Sequence, residues 1–390
     1  MSSLPVYLDY QATTPIDPRV RDAMMPFLGE QFGNPHSSDH SFGWDAATAV
    51  RNARAKVAEF INADDDEIVF TSGATESCNL AIRGAAKRNR LGKRNRIVTV
   101  STEHPAVFET VMDLGREGYE AVVLPVDPDG ILDLAALDNV LNEQTLIVSV
   151  MTANNEIGVL QPLDEIASRC RAVGAFFHTD AAQAAGRIPI DVEDWDVDLL
   201  SLTAHKMYGP KGVGALFARD DVALKPMMGG GGQERGLRSG TLAPALIAGF
   251  GKACELASQE RDEDHTRIVD LTNRLLMRLL DHCPDLLLFG HSEYRLPGSL
   301  NIGFPGSPAE QVIRNVGRRV AVSSGSACAS ATSEPSRVLL ALGLRPEVAA
   351  TGIRISLGRF TTEADIDIAV EAFARVGFLS VPELQRHAAH

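Results

Sequence analysis

The middle of the chain alternates between short apolar runs of strand length and amphipathic stretches of helix length. The apolar runs cover residues 67–71, 96–101, 120–126, 145–152, 175–180 and 199–204. Residues 108–118 and 163–174 are two of the helical stretches between them. Nearly continuous apolar strands connected through helices predict a mostly parallel sheet with helices on both faces. The sequence therefore predicts the α/β fold class.

A second, smaller unit follows this alternating region. Residues 242–282 have a long helical pattern, which predicts one helix or a pair of helices. After Pro284, strands are predicted at 286–289, 299–304 and 352–357, and helices at 308–318 and 362–376. A chain of 390 residues is long enough for two domains. We expect a large domain over residues 16–260 and a small α+β domain built from residues 1–15 and 261–390.

The composition argues against several classes of protein. Asp and Glu outnumber Lys and Arg by 51 to 37, which gives a net charge of −14 at pH 7. That charge repels a nucleic-acid duplex and an anionic membrane surface, so neither is expected as a partner. The five cysteines form no C-x-x-C pair, which argues against a disulfide framework and a zinc ribbon. Because neither a signal peptide nor a membrane-spanning segment is recognisable, we expect a cytoplasmic protein.

Three local patterns could bind or activate a small molecule. Residues 71–77 follow a predicted strand and open a helix whose N–H groups and hydroxyls suit a phosphate, although alone they are more typical of an ordinary capped helix. Asp180 ends a buried strand, where open α/β sheets bind ligands, and a helix-capping role is about equally expected. Lys206 follows another buried strand, whereas most lysines are solvated surface charges.

Together the three patterns describe a site for pyridoxal phosphate. This cofactor needs a lysine for a Schiff base, an acid against its pyridinium nitrogen and a phosphate cradle. Lys206, Asp180 and the turn before Thr75 supply these groups on one predicted sheet edge. Their joint occurrence is much more specific than any one of them.

Longer stretches of the sequence resemble the class V, fold-type I pyridoxal-phosphate enzymes, and among them the NifS/IscS-type cysteine desulfurases. In chain order the matching stretches are YLDYQATTP, FGNPHSSDHSFG, FTSGATESCNLAI, STEHPAV, NNEIGVLQP, HTDAAQAAG, TAHKMYGPKGVGALF, GGGGQERGLRSGT, SSGSACAS and GIRISLGRFT. They extend over nearly the whole chain. The resemblance implies a large domain with a seven-stranded, mostly parallel sheet covered by helices, and a smaller α+β C-terminal domain.

The resemblance also implies cofactor contacts. Lys206 would form the Schiff base, Asp180 would keep the ring nitrogen protonated, and Gln183 would hydrogen-bond the phenolate oxygen. His104 would stack on the ring and move protons, although by itself a histidine at a strand end is more often structural. The phosphate would be held by Ala74, Thr75, Thr203 and His205, and the family more often has Ser at the position of Thr203.

Substrate and subunit contacts follow from the same resemblance. Asn155 is expected near the cofactor and the substrate carboxylate. Arg354 is expected to bind that carboxylate, because a guanidinium matches a carboxylate with two hydrogen bonds. Thr241 ends the glycine-rich segment 229–241, whose glycines alone are more typical of a hinge. In the family this segment reaches the phosphate of the neighbouring subunit, so a homodimer is expected.

Cys328 lies within a run of Gly, Ser and Ala at residues 323–331. A thiolate in such a loop is exposed and nucleophilic, as covalent catalysis requires. The remaining cysteines lie in or at the ends of helical apolar patterns and are interpreted as packing residues: Cys78, Cys170, Cys254 and Cys283. The resemblance makes Cys328 the residue that takes sulfur from L-cysteine as a persulfide. No resident metal is predicted, although Cys328 could be a transient iron–sulfur ligand.

The sequence therefore predicts a cysteine desulfurase that forms L-alanine and passes sulfur to a protein acceptor, either an iron–sulfur scaffold or a tRNA-thiolation relay. Residues 323–343 are similar to the long-loop housekeeping branch, but residues 382–390 do not match its acceptor-docking tail, so nitrogenase maturation or DNA sulfur modification stays open. A selenocysteine lyase or another class V lyase or aminotransferase would share Lys206 and Asp180 without depending on Cys328. A non-catalytic scaffold within a sulfur-transfer complex is the remaining alternative. The presence of the complete set of expected catalytic residues argues against it.

Overall fold

The computed structural model describes residues 4–89, 92–324 and 335–375. The strands are β1 (Val6–Tyr7), β2 (Ile68–Thr71), β3 (Arg96–Val100), β4 (Glu120–Leu124), β5 (Thr145–Ser149), β6 (Phe176–Asp180), β7 (Leu199–Thr203), β8 (Gly214–Ala218), β9 (Leu287–Leu288), β10 (Ser299–Gly303), β11 (Val320–Ala321) and β12 (Gly352–Ser356). The helices are α1 (Pro18–Leu28), α2 (Ser41–Ile61), α3 (Ala74–Asn89), α4 (Pro105–Arg116), α5 (Leu134–Val140), α6 (Leu163–Val173), α7 (Pro244–His282), α8 (Ala309–Val316), α9 (Arg337–Ala341), α10 (Pro346–Ala349) and α11 (Glu363–Ala374).

A seven-stranded sheet in the order β2-β8-β7-β6-β5-β3-β4 forms the centre of the molecule. The strands from β7 to β4 are parallel to their neighbours. Only β8, among the described strands of this sheet, runs antiparallel, and it pairs with β2 on one side and β7 on the other. The predicted mostly parallel sheet is therefore confirmed, and β8 is a strand that the sequence prediction missed.

Helices cover both faces of this sheet, because successive residues of a strand point to opposite sides. Ile97 and Ile147 face a core formed with α3 and α4. Their neighbours Val98 and Val148 face a core formed with α2, α6 and the first half of α7. Burial on both faces explains why these strands are apolar at nearly every position.

A further hydrophobic core, here called the C-terminal core, lies around a three-stranded antiparallel sheet in the order β12-β10-β9. The 39-residue helix α7 contributes Phe250 to the core that it forms with α2 and α6, and Leu275 to the C-terminal core. β1 pairs in parallel with β11, and Leu8 lies in the C-terminal core. The domain boundary predicted near residue 260 falls inside this one continuous helix, and the division into two domains stays a prediction.

The helices and the cysteines of the described residues were both addressed by the sequence predictions. None of the helices in the described part of the chain combines the length and apolar character needed to cross a bilayer. Three of the cysteines interpreted as packing residues are buried, and Cys283 is half-buried. Burial raises the pKa of the Cys170 thiol to about 12, so this thiol is not reactive at neutral pH.

Candidate active site

A cavity of about 840 Å³ opens at the edge of the sheet where β6 and β7 end. Open α/β sheets bind ligands at this edge because loops, and not further sheet, follow the strands there. Every predicted site residue other than Thr241 and Cys328 lines it. These are Ala74, Thr75, His104, Asn155, Asp180, Gln183, Thr203, His205, Lys206 and Arg354.

The turn between β2 and α3 forms one wall of the cavity. Gly73 has φ of +149°, in the region that favours glycine. A Cβ at Gly214 of β8 would come within 2.7 Å of the Cα of Gly73, so the turn packs closely against the neighbouring strand. The first turn of α3, with Ala74 and Thr75, faces the cavity. Because N–H groups in a first helical turn lack intrahelical partners, this wall suits an anion.

Asp180 is the last residue of β6 and is buried on the cavity wall. Its Oδ1 accepts a hydrogen bond from the backbone N of Ala182 at 2.9 Å. Glu103 lies close to it, and burial together with the charge of Asp180 raises the pKa of the Glu103 carboxyl well above its ordinary value. The Oε1 of Glu103 accepts from the backbone N of Met151 at 2.6 Å.

A buried histidine lies two residues before Asp180 on the same strand. The Nδ1 of His178 is 2.7 Å from the Ser149 hydroxyl, and its Nε2 is 3.0 Å from the Ser201 hydroxyl. Burial lowers the pKa of His178 to about 4, so the ring is neutral at physiological pH. This ring bridges three neighbouring strands beneath the cavity, since Ser149 ends β5 and Ser201 lies in β7.

Lys206 and His205 lie in a 3₁₀ turn, Ala204–Lys206, which follows β7 directly. The Nδ1 of His205 is 3.1 Å from the Thr13 hydroxyl, and its backbone O accepts from the Thr14 hydroxyl at 3.0 Å. Burial, aided by the charges of Lys206 and Lys211, lowers the pKa of His205 to about 4. His205 therefore contributes a neutral ring to the cavity, and Lys206 contributes an amine.

His104 begins α4 from the N-cap position, where its Nδ1 accepts from the backbone N of Ala106 at 3.1 Å. Burial lowers the pKa of His104, the charge of Asp180 raises it, and the charges of Lys206 and Arg337 lower it further. With Nδ1 acting as an acceptor, the neutral ring carries its proton on Nε2.

Arg354 lies on β12 and is 3% exposed. Its guanidinium donates to the Asp9 carboxylate at 2.8 Å and to the backbone O of Asn155, also at 2.8 Å. Both partners hold the planar group in one orientation on the cavity wall. A fixed guanidinium of this kind is suited to bind a carboxylate.

These residues fit pyridoxal phosphate, whose aldehyde, ring nitrogen and phosphate need an amine, an acid and an anion site. Lys206, Asp180 and the first turn of α3 supply these three groups around one cavity. Gln183 donates through Nε2 to the backbone O of Gln11 at 3.1 Å. Its buried Oε1 has no hydrogen-bond partner within the described ranges, which leaves one end of a cavity-lining amide for a bound molecule.

Two predicted site residues are not found at this cavity. Thr241 is exposed and precedes α7. Its predicted contact lies on a neighbouring subunit, and that assignment stays a prediction. Cys328 lies outside the described residues. Within the described ranges, no group of three or more His, Cys, Asp or Glu side chains could hold a metal ion.

Sequence reasoning missed several residues that shape the cavity. Asp9 orients Arg354, yet only its place in the stretch YLDYQATTP singles it out. Glu156 accepts a hydrogen bond from the Ser336 hydroxyl, and both line the cavity, as does Arg337. Burial raises the pKa of Glu156. No local pattern identifies these residues, because each acts on a partner far away in the sequence.

Comparisons with known proteins identify the family of the chain. The family model described as Aminotransferase class-V matches residues 6–368. Cysteine desulfurase IscS of Rickettsia massiliae (strain Mtu5) is 50% identical over 370 residues, which cover 94% of this chain and 90% of that protein.

Solved structures are similar as well. A structure titled NifS-like protein has a TM-score of 0.90 and 35% identity, with 96% of this chain and 99% of that chain covered. A structure titled SspA in complex with cysteine has a TM-score of 0.78 and 34% identity, with 91% and 99% covered. The chain therefore belongs to the class V aminotransferase family of pyridoxal-phosphate enzymes, among the IscS/NifS-type cysteine desulfurases.

Proposed function

We propose that this protein is a cysteine desulfurase that converts L-cysteine to L-alanine and transfers the sulfur atom to Cys328. One observation carries the proposal most directly: Lys206, Asp180 and Arg354 come from distant parts of the chain and line one cavity. The chain also shares half of its residues, over 94% of its length, with a relative named cysteine desulfurase IscS.

Pyridoxal phosphate, when bound, supplies an electron-withdrawing ring that weakens bonds at the α- and β-carbons of an attached amino acid. Lys206 would hold it covalently, Asp180 would hydrogen-bond its ring nitrogen, and Gln183 would hydrogen-bond its ring oxygen. The first turn of α3, with Thr203 and His205, would hold its phosphate. Once its amine is released by the incoming substrate, Lys206 is placed to take the proton from the substrate α-carbon.

Arg354 would bind the carboxylate of L-cysteine. Its guanidinium already donates to Asp9 and to the backbone O of Asn155. These contacts fix the plane of the group before substrate arrives, which reduces the entropy lost on binding. The side chain of Asn155 lines the same part of the cavity and would contact the same carboxylate.

Cys328 would accept the sulfur. In the overall reaction, L-cysteine and the Cys328 thiol give L-alanine and a Cys328 persulfide, so that all atoms are conserved and no external oxidant is needed. The Cys328 thiolate would attack the sulfur atom of the substrate, and the carbon–sulfur bond would break. The carbon would then gain a proton, for which His104 and Lys206 on the cavity wall are the candidate donors.

We further infer that the protein acts as a homodimer in the cytoplasm and delivers sulfur to an iron–sulfur scaffold or sulfur-relay protein. The region from the end of α1 to the start of α2 exposes five large apolar side chains, each at least 49% exposed: Met25, Leu28, Phe32, Phe42 and Trp44. Exposed apolar side chains in such number are typical of a subunit interface. The four packing cysteines have no disulfide in the described structure, in accord with a reducing compartment.

The proposal is tested by incubating the purified protein with L-cysteine and measuring L-alanine and protein-bound persulfide. Wild-type protein and the Cys283→Ser control form both products. Cys328→Ser keeps pyridoxal phosphate but loses both products, and Lys206→Ala loses the covalently bound cofactor. If Cys328→Ser forms sulfide at the wild-type rate, the protein is a lyase of another kind. If wild-type protein binds the cofactor but forms no L-alanine, it is a scaffold.

A further inference from the structure

Arg337 is the first residue of α9, and its side chain lies on the wall of the cavity. Its backbone is held firmly, because the Ser336 hydroxyl caps the helix by accepting from the backbone N of Leu339 at 3.2 Å and donates to the Glu156 carboxylate. A cation at the N-terminal end of a helix gains nothing from the helix dipole. The position of the Arg337 side chain is therefore determined by contacts beyond its own helix.

Those contacts lie on the segment that joins β3 to α4 and on the start of α4 itself. The guanidinium of Arg337 donates to the backbone oxygens of Ser101 and Glu103. Its central carbon lies 4.1 Å from the ring centroid of Phe108, in a cation–π contact. Hydrogen bonds from a charged donor to two carbonyls, two residues apart, restrain the backbone between them.

This restrained backbone leads directly into His104. The backbone O of Thr102 accepts from Asn154 Nδ2 at 2.9 Å, and the Glu103 side chain accepts from the backbone N of Met151. The carbonyls of three successive residues before His104 are thus each held by a side chain from another element, and Arg337 holds two of them.

We propose that Arg337 is a positioning residue for His104, whose ring it places on the cavity wall by restraining the backbone of residues 101–103. This proposal rests on the proposed function, in which the cavity binds the cofactor and His104 lies against the cofactor ring. It names a role for Arg337 that the family resemblance does not assign.

A second effect of Arg337 provides a direct measurement. The charged groups that act on His104 are Asp180, Lys206 and Arg337. The pKa of Glu103, on the same loop, is raised well above its ordinary value by burial and by the charge of Asp180. The positive charges of Arg337 and Lys206 lower the pKa of His104, and Asp180 raises it. Loss of the Arg337 charge therefore raises the pKa of His104, whereas an ammonium at the same place preserves it.

The experiment compares Arg337→Met, Arg337→Lys and the exposed control Arg314→Met. Histidine ring signals of the full-length apoprotein are followed by NMR against pH, with His104→Gln to identify the signal. We expect the pKa of His104 to rise by about 0.5 in Arg337→Met and to stay within about 0.2 of wild type in Arg337→Lys. Both Arg337 variants lose the forked contact, so the dissociation constant of pyridoxal phosphate rises about tenfold in Arg337→Met and about threefold in Arg337→Lys.

Unchanged titration of His104 together with unchanged cofactor affinity in Arg337→Met would overturn the proposal. If Arg337→Met does not fold, the test rests on the cofactor affinity of Arg337→Lys. An affinity equal to that of wild type in this variant would exclude the positioning role. The NMR titration needs neither cofactor nor L-cysteine. Failure of this inference is therefore distinguishable from failure of the proposed function, in which wild-type protein forms no L-alanine.

Discussion

Glu234 is a buried acid that attaches the segment before α7 to the central sheet, and its removal should destabilise the protein strongly. Its carboxylate accepts from both terminal guanidinium nitrogens of Arg54, at 2.6 and 3.0 Å, and from the backbone N of Phe70 at 2.6 Å. Glu234 and Arg235 have φ of +46° and +55°, a left-handed conformation that costs on the order of 1–2 kcal/mol for each residue that is not glycine. The contacts of the carboxylate therefore hold a strained backbone in place.

The expected cost of Glu234→Ala follows from this geometry. The side chain of Glu234 is 2% exposed and that of Arg54 is 15% exposed. Removing one partner of a buried ion pair costs roughly 3–5 kcal/mol. The N–H of Phe70 also loses its acceptor, at roughly 1–3 kcal/mol, and relaxation of the strained backbone returns part of the total. We expect the free energy of unfolding to fall by about 4 kcal/mol.

The assay is urea unfolding of the full-length apoprotein, followed by both circular dichroism and tryptophan fluorescence, because a chain with several hydrophobic cores need not unfold in one step. Glu193→Ala is the matched control, since Glu193 pairs with Arg219 at 3.2 Å but is 56% exposed. That variant should lose less than about 1 kcal/mol.

A double-mutant cycle supplies the refutation. If Glu234 and Arg54 interact as described, Arg54→Met combined with Glu234→Ala costs less than the sum of the single changes, by roughly 1–3 kcal/mol. A Glu234→Ala cost equal to that of Glu193→Ala, or strictly additive single costs, would refute the reasoning.

Three further predictions concern the cavity. Arg354→Lys loses the forked contact with a carboxylate, so the KM for L-cysteine should rise by about ten- to a hundredfold in steady-state assays while kcat changes little. A lower kcat with an unchanged KM would contradict this prediction. Asp180→Asn should weaken pyridoxal phosphate binding at least about tenfold by equilibrium dialysis, and unchanged binding would exclude the proposed contact. The pKa of His178 is about 4 in the folded protein and about 6.5 in the unfolded chain. As the pH falls below 6.5, the unfolded chain therefore takes up a proton that the folded protein does not, and the free energy of unfolding decreases. Between pH 7 and 5 wild-type protein should therefore lose about 2 kcal/mol more than His178→Gln in urea unfolding, and parallel losses would contradict this.

The central sheet could be predicted from the sequence because its strands are buried on both faces. Each predicted apolar run contains the observed strand, with ends that differ by up to three residues. β8 was missed because its sequence, GALFA, has few β-branched residues and lies beyond a glycine-rich turn. Residues 242–282 predict either one helix or a pair of helices, because charged residues cluster at 260–265 within the helical pattern. They lie on a continuous helix, where Glu260 and Asp264 pair with Arg359.

The cavity could be predicted only for residues that stand in local motifs. Asp180 ends one recognisable strand and Lys206 follows the next, so their place at the sheet edge can be inferred. Asp9 and Arg354 form an ion pair although 345 residues separate them, and nothing in either neighbourhood specifies the other. Arg337 contacts a loop more than 230 residues before it. Such pairs depend on how distant segments pack together in the folded chain, which local patterns do not encode.

The pairing of β1 with β11 has a consequence for the order of events during translation. Val6 pairs with Val320, and the backbone N of Gln11 donates to the hydroxyl of Ser356, so both ends of the chain must be synthesised before these contacts form. The central sheet is complete once Ala218 has left the ribosome. At about 5–20 residues per second, the stretch from there to Ser356 takes on the order of ten seconds to make. Asp9 therefore has no Arg354 to pair with during that interval, and the proposed substrate site is incomplete until β12 has been synthesised.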